Sequence, residues 1–226
     1  MKTKHKFLLA LFMLLFSVNA FSGKKITVKT VPENATIEVD GSVVGEGTYT
    51  LKFDGKNELY VVTVSAPGYI KKRYRVMSSN PNKSIVFKLP EDDALKASFG
   101  SEDGSAIANT WMDIRCKQGL KEDIIWKRLM SVCTNYFDNI STRDKAAGWI
   151  KTGWVTQTFR YQVVRTRLEV RISFTDDEAI TYRARIISQI KDIDEPGEQA
   201  FEPYERVLKK FEPMLQELQT TVGGGE

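Results

Sequence analysis

Between Val164 and Phe174 the chain alternates over eleven residues. Val164, Leu168, Val170, Ile172 and Phe174 take one side with Thr166 among them, and Arg165, Arg167, Glu169, Arg171 and Ser173 take the other. Successive side chains of an extended chain point to opposite faces, so period two over this length dictates a strand with one buried face. Thr175-Asp176-Asp177-Glu178 supplies a turn, after which Ile180, Tyr182, Ala184 and Ile186 alternate with Thr181, Arg183 and Arg185. Two such strands predict an antiparallel hairpin with one wet face. That face carries Arg165, Arg167, Arg171, Arg183 and Arg185, with Lys151 and Arg160 as candidates to extend it. A row of guanidinium forks is a candidate partner-binding surface for carboxylates or phosphates. The competing expectation is a solvated face that covers apolar surface with long side chains and is neutralised by carboxylates such as Glu169.

The elements around the hairpin define an α+β domain over residues 109–219. Met112, Ile114 and Cys116 alternate as a short strand. Ile125, Leu129, Val132, Cys133, Tyr136, Phe137 and Ile140 fall at helical spacing, which predicts a helix over Lys121–Asn139. Gly148 to Val155 reads as one strand, with Trp149 and Trp154 on opposite faces because their spacing is odd. Core packing is expected for Trp111, Trp126, Trp149 and Trp154; the alternative is one of Trp149 and Trp154 exposed beside an arginine, where it could bind sugar or a partner. Phe201, Tyr204, Val207, Leu208, Phe211, Leu215 and Leu218 predict a closing helix over Glu198–Leu218, kinked or cut short at Pro213. Residues 220–226, with three consecutive glycines, read as a disordered tail. Helices laid across one face of an antiparallel sheet follow from this order. Such a layer can also enclose an apolar ligand.

Residues 24–90 show a different texture. Short alternating runs are separated by Asp40-Gly41, Gly45-Glu46-Gly47, Asp54-Gly55, Pro67-Gly68 and Asn80-Pro81-Asn82. About seven short strands with such punctuation predict a small β-sandwich. Residues 91–108 are acidic, rich in Gly and Ser and aperiodic, the composition of a solvated linker.

Val31-Pro32-Glu33-Asn34-Ala35, Ile37, Val39-Asp40-Gly41, Gly45 and Ala66-Pro67-Gly68-Tyr69 resemble the PEGA domain family. Asn34 stands where that family has Gly and is the other residue that tolerates left-handed geometry, and Thr48-Tyr49 stands where Thr-Pro is usual. The resemblance implies an all-β, prealbumin-like sandwich serving as an extracytoplasmic accessory or adhesion module without catalysis. The amphipathic helix, Asp144 to Thr152 and the arginine-rich hairpin resemble the helix-grip domain of an accessory lipoprotein of the outer-membrane protein assembly machine. That implies a helix-grip-like, protein-binding second half.

The first twenty residues read as a secretory signal: Lys2, Lys4 and Lys6, an uncharged run Phe7–Phe16, then Val18 and Ala20 for cleavage near Ala20. The run is short of the ~20 residues that cross a bilayer. Its removal takes three of 33 basic residues and no acid, so 30 Lys and Arg face 29 Asp and Glu and the net charge falls from +4 to +1. Nucleic acid is therefore not an expected partner. The single histidine, His5, leaves with the signal, so Ser-His-Asp and Cys-His catalysis and His-containing zinc sites are excluded for the trimmed chain. Asp113, Glu178 and Asp194 are the acids weighed for a histidine-free glycan hydrolase, which needs two buried carboxylates. Cys116 and Cys133 suit one disulfide in an oxidising compartment, or two buried thiols. The expectation is a non-catalytic periplasmic or cell-surface protein, without cofactor or metal. It binds an envelope protein or cell-wall polymer, with peripheral membrane contact open. The alternative is a helix-grip carrier of a lipid or small apolar ligand.

Overall fold

The computed structural model describes residues 23–100, 107–175 and 180–222. The expected signal segment, most of the acidic hairpin turn and the end of the tail lie outside the described residues. The fold is mostly β, with several antiparallel sheets and few helices. It divides into two compact units, residues 1–91 and 92–226.

The first unit contains seven strands: β1 (Lys24–Val31), β2 (Thr36–Val39), β3 (Ser42–Glu46), β4 (Thr48–Phe53), β5 (Leu59–Ser65), β6 (Lys72–Met77) and β7 (Ser84–Lys88). They form a sheet of order β4-β1-β7 and another of order β3-β2-β5-β6. All neighbours are antiparallel except β1 and β7. Alternation decides which side chains form the core. Ile26, Val28, Ile37, Leu51, Phe53, Val62, Val64, Val76 and Phe87 are all buried in one cluster. Turn chemistry sets the register. Asp40 and Gly41 both take positive φ, 48° and 87°, which joins β2 to β3 in a tight hairpin. The Asp40 carboxylate then accepts the Val61 amide at 2.9 Å, tying the turn to β5. Gly47 (φ 67°) packs so closely that an added Cβ would lie 2.2 Å from the Glu33 carbonyl oxygen.

The second unit is built on β13 (Gln162–Thr175) and β14 (Ile180–Asp192), the long hairpin expected from the alternation. Shorter strands flank it: β10 (Ile140–Asp144), β11 (Trp149–Thr152) and β12 (Val155–Thr158) on the β13 side, β9 (Met112–Arg115) and β15 (Glu202–Pro203) on the β14 side. All pairings in this sheet are antiparallel. One face carries Val164, Leu168, Val170, Tyr182, Ala184 and Ile186 into the core. There they meet α2 (Glu122–Tyr136), through Ile125, Trp126, Leu129, Val132 and Cys133, and α3 (Glu212–Thr221), through Met214 and Leu218. Phe137 and Phe211 stack with centroids 5.2 Å apart.

Three expectations fail for identifiable reasons. The linker is not a solvated connector where it is described. Asp92 accepts the Leu95 amide at 2.8 Å and caps α1 (Asp93–Lys96), Ala94 is buried in the core, and β8 (Ser98–Phe99) pairs with β16 (Val207–Leu208); residues 101–106 lie outside the described residues. The closing helix is confined to α3. The open edge of β14 offers unpaired backbone groups, and β15 takes them, with Pro203 where an edge strand tolerates proline. Pro213 then lies in the first turn of α3, a position without an obligatory amide hydrogen bond, so it starts the helix instead of kinking it. Cys116 and Cys133 are free thiols buried in the same core, not a bridge. Burial pushes their pKa values up to about 11 and about 12.

Asn109 closes the edge of the sheet beside β14. At φ 65°, it accepts the Ser188 amide through Oδ1 at 3.2 Å and donates Nδ2 to the carbonyls of Ser188 and Tyr204 at 3.2 and 3.0 Å. Asn109→Ala removes all three bonds and sets a Cβ-bearing residue without a local acceptor in the left-handed region. It is expected to cost about 2–3 kcal/mol in urea unfolding. Asn109→Gly, which relieves the backbone but not the bonds, should recover only part of this, and an unchanged Asn109→Ala midpoint would contradict the assignment. For the thiols, iodoacetamide at pH 8 should label neither in the folded chain and both after denaturation without reductant; persistent blockage would reveal a bridge.

Candidate functional site

The face of the β13–β14 hairpin opposite the helices brings together all five arginines of the sequence expectation. It faces solvent, with Arg183 exposed and Arg171 and Arg185 partly so, but it also carries aromatic rings. Three of the four tryptophans lie against it, and only Trp126 goes into the helix-facing core. The guanidinium of Arg165 lies 4.4 Å from the Trp154 ring centroid and 3.9 Å from that of Phe201. Arg167 lies 4.2 Å from Trp154, Arg171 4.8 Å from Trp149, and Arg183 and Arg185 4.8 and 4.5 Å from Trp111. Each is within the range in which a cation is held by the ring quadrupole.

A local irregularity puts Trp149 and Trp154 on the same side. Instead of one continuous strand, β11 stops at Thr152 and β12 starts at Val155. Thr152 Oγ1 accepts the Leu168 amide at 2.9 Å, taking the place of a ladder partner, and the Gly153 amide donates to the Asn139 carbonyl at 2.7 Å. The break resets the alternation, so an odd spacing no longer means opposite faces.

Glu169 is the negative centre of the face. Its side chain is 4% exposed. Arg171 donates Nε and Nη2 to Oε1 at 2.9 and 2.6 Å, and Arg185 donates Nε and Nη2 to Oε2 at 3.1 and 2.8 Å. Burial alone would raise the carboxyl pKa, but the hydrogen bonds and charges of Arg185 and Arg171 outweigh it and hold the value below the usual carboxylate range. Arg165 donates Nε to Gln189 Oε1 at 2.8 Å and is paired with Glu198. Arg167 differs: it forms no ion pair among the described residues, and its Nε is buried without a hydrogen-bond partner. Burial lowers its pKa; Glu169 opposes that shift, and Arg165 and Arg185 add to it.

Of the outlying candidates, Lys151 pairs in register with Glu169, while Arg160 sits in the β12–β13 turn over Tyr161, away from the row. Asp113 and Asp194 are exposed, so neither is a shielded acid, and Glu178 lies outside the described residues. Among the described residues no group of three or more His, Cys, Asp or Glu is placed to hold a metal ion. The sequence allowed one of Trp149 and Trp154 beside an arginine, not both, and gave no sign of Trp111, Phe201, Gln189 or Glu198 as parts of the face. The register pairing of Trp149 with Arg171 was accessible in principle, but only once the break after Thr152 was known.

The clamp makes a pH-dependent prediction. Glu169→Gln keeps the shape but leaves two neighbouring guanidinium groups without a charge between them. Because both arginines are partly exposed, the cost at pH 7 is about 2 kcal/mol, below the range for a fully buried pair. The folded pKa is depressed, so the carboxylate's contribution is full above the unfolded value of about 4.3 and fades as pH falls through the lower folded value. Chemical unfolding at pH 7 and pH 2.5 should show the gap between wild type and Glu169→Gln closing in acid. A gap independent of pH would contradict the clamp.

Residues 24–90 match the family model of the PEGA domain, a span that runs from β1 to the end of β7. The residues that carry the likeness are mainly its turns: Pro32 to Ala35, Asp40-Gly41, and Ala66 to Tyr69, where the Tyr69 amide donates to the Ala66 carbonyl at 3.2 Å. Asn34 keeps a negative φ, so the left-handed tolerance of asparagine is not what allows it there. The chain matches no curated protein. The resemblance expected for the first unit thus has independent support, and the helix-grip likeness of the second has none.

Proposed function

We propose that this chain is a non-catalytic, exported cell-envelope protein that binds an anionic envelope partner, a protein or a cell-wall polymer. In this reading the first unit is a prealbumin-like sandwich acting as an accessory module. The second, helix-grip-like in laying α2 across an antiparallel sheet, supplies the contact surface. The observation that carries the reading is the arginine and tryptophan face. Five guanidinium groups are fixed on one sheet surface against two carboxylates, Glu169 and Glu198, among the described partners. Rings and hydrogen bonds hold the side chains before a partner arrives, which lowers the entropy lost on binding. The PEGA match supports export, because such domains are typically found in periplasmic or surface proteins. The carrier alternative draws no support from the packing. The space between the helices and the sheet is filled by buried side chains, and a recess of about 210 Å³ near the end of β14 is lined by Gln162, Lys191, Asp192, Glu195 and Glu202, with only Ile190 and Ala200 as apolar members.

Arg167 and Arg183 form no ion pair among the described residues, so they can be changed with little cost to the fold. Arg167→Glu with Arg183→Glu should abolish capture of envelope material by the immobilised protein at low salt, and 0.5 M salt should weaken capture by the wild type. Undiminished capture by the folded double variant would remove this face from the function. Capture of nothing by the wild type at either salt would remove the function itself.

A further inference from the structure

We propose that Arg167, bracketed by Arg165 and Arg185, anchors a subsite for a phosphate group carried on a phosphodiester polymer. The proposal rests on the anionic-partner reading above and names the anion. It starts from an asymmetry within the row. Arg171 and Arg185 share Glu169, and Arg165 has Gln189 and Glu198. Arg167 lies between these paired cations, its guanidinium against Trp154, with Nε lacking an acceptor and no carboxylate pairing with it among the described residues. Trp149 Nε1 on the same face also lacks a partner; Arg167 stands apart because its unmet donor belongs to a cation that no carboxylate pairs with among the described residues.

The class of anion follows from valence. Glu169 shows what a carboxylate can do at this surface: each oxygen takes one guanidinium edge, and two arginines saturate it. A second carboxylate has two oxygens, whereas three guanidinium groups still offer N–H edges here: that of Arg167, and the edges that Arg165 and Arg185 do not give to Gln189, Glu198 and Glu169. A tetrahedral phosphate offers oxygens in three directions, which suits guanidinium groups set on either side of Arg167 on two strands. Arg165 and Arg167 stand two residues apart on β13, about 7 Å along the strand, and Arg185 stands diagonally across on β14. Arg183, exposed over Trp111, offers a further cation along the row, so charges repeated along a polymer can engage more than one position. A lipid headgroup fits less well. Membrane docking needs projecting apolar anchors, whereas among the described residues the exposed large apolar side chains of this unit, Ile124 and Ile193, lie on α2 and beyond the end of β14, and the tryptophans are covered by guanidinium groups.

The test measures binding of the full folded chain to poly(glycerol phosphate), to polygalacturonate of matched charge, and to phosphatidylglycerol vesicles in low salt. Poly(glycerol phosphate) should bind at least about tenfold more tightly than polygalacturonate. Arg167→Gln should lose about tenfold or more for the phosphate polymer alone, Arg167→Lys should recover part of it as a point charge, and both should melt like the wild type. Equal binding of the two polymers, or an unchanged Arg167→Gln, overturns the phosphate subsite while the anionic-partner function stands. Vesicle binding without polymer binding overturns it in favour of membrane docking. If no polyanion binds and Arg167→Glu with Arg183→Glu leaves envelope capture intact, the subsite and the broader function fall together.

Discussion

One buried carboxylate makes the second unit's outer face workable. Without Glu169, Arg171 and Arg185 would confront each other across adjacent strands, with Arg167 and Arg183 close by, on a surface that also has to shelter tryptophan rings. Two unit charges about 4 Å apart interact by about 4 kcal/mol at an effective dielectric of 20, enough to reorganise a sheet surface. Glu169 turns that repulsion into a four-bond clamp and leaves its arginines oriented, edge to the carboxylate and face to the rings. The helix-facing side of the same strands is ordinary apolar core. The hairpin thus separates its tasks by parity: even positions of β13 such as Leu168 and Val170's neighbour Thr166 face inward, and Arg165, Arg167, Glu169 and Arg171 face outward.

The hairpin and the membership of its charged face could be read from the chain, because alternation over eleven residues admits one interpretation. The sandwich was legible for the same reason, helped by Asp40-Gly41, whose positive φ angles leave β2 and β3 little choice but to pair. What could not be read was set by contacts distant in sequence. Trp149 and Trp154 join the same face because Thr152 substitutes its hydroxyl for a ladder group of β13. Residues 198–211 have a helical spacing of apolar groups, yet the open edge of β14 claims Glu202 and Pro203 and β8 claims Val207 and Leu208. Phe211 and Leu208 are buried in either arrangement, so periodicity could not distinguish the two. The residues expected to form a linker carry Ala94, whose lack of a large side chain hides a core position inside an acidic stretch.

The two units make different uses of β structure. The first spends its alternation on a closed apolar core and confines special backbone geometry to turns. The second leaves a charged and aromatic surface on its sheet, within a chain of net charge +4. Segregated charge of this kind steers anionic partners over short range and falls off beyond a Debye length, about 8 Å in physiological salt.

The arginines of the outer face are held in place before any partner arrives. Nitrogen-15 NMR of the arginine Nε–Hε groups at pH 7 tests it most directly. The account predicts resolved, slowly exchanging signals for Arg165, Arg171 and Arg185, displaced from the free-arginine position by ring currents and hydrogen bonds. Glu169→Gln should release those of Arg171 and Arg185 while sparing Arg165. A single averaged signal at the free-arginine position for all of them in the folded wild type would contradict it.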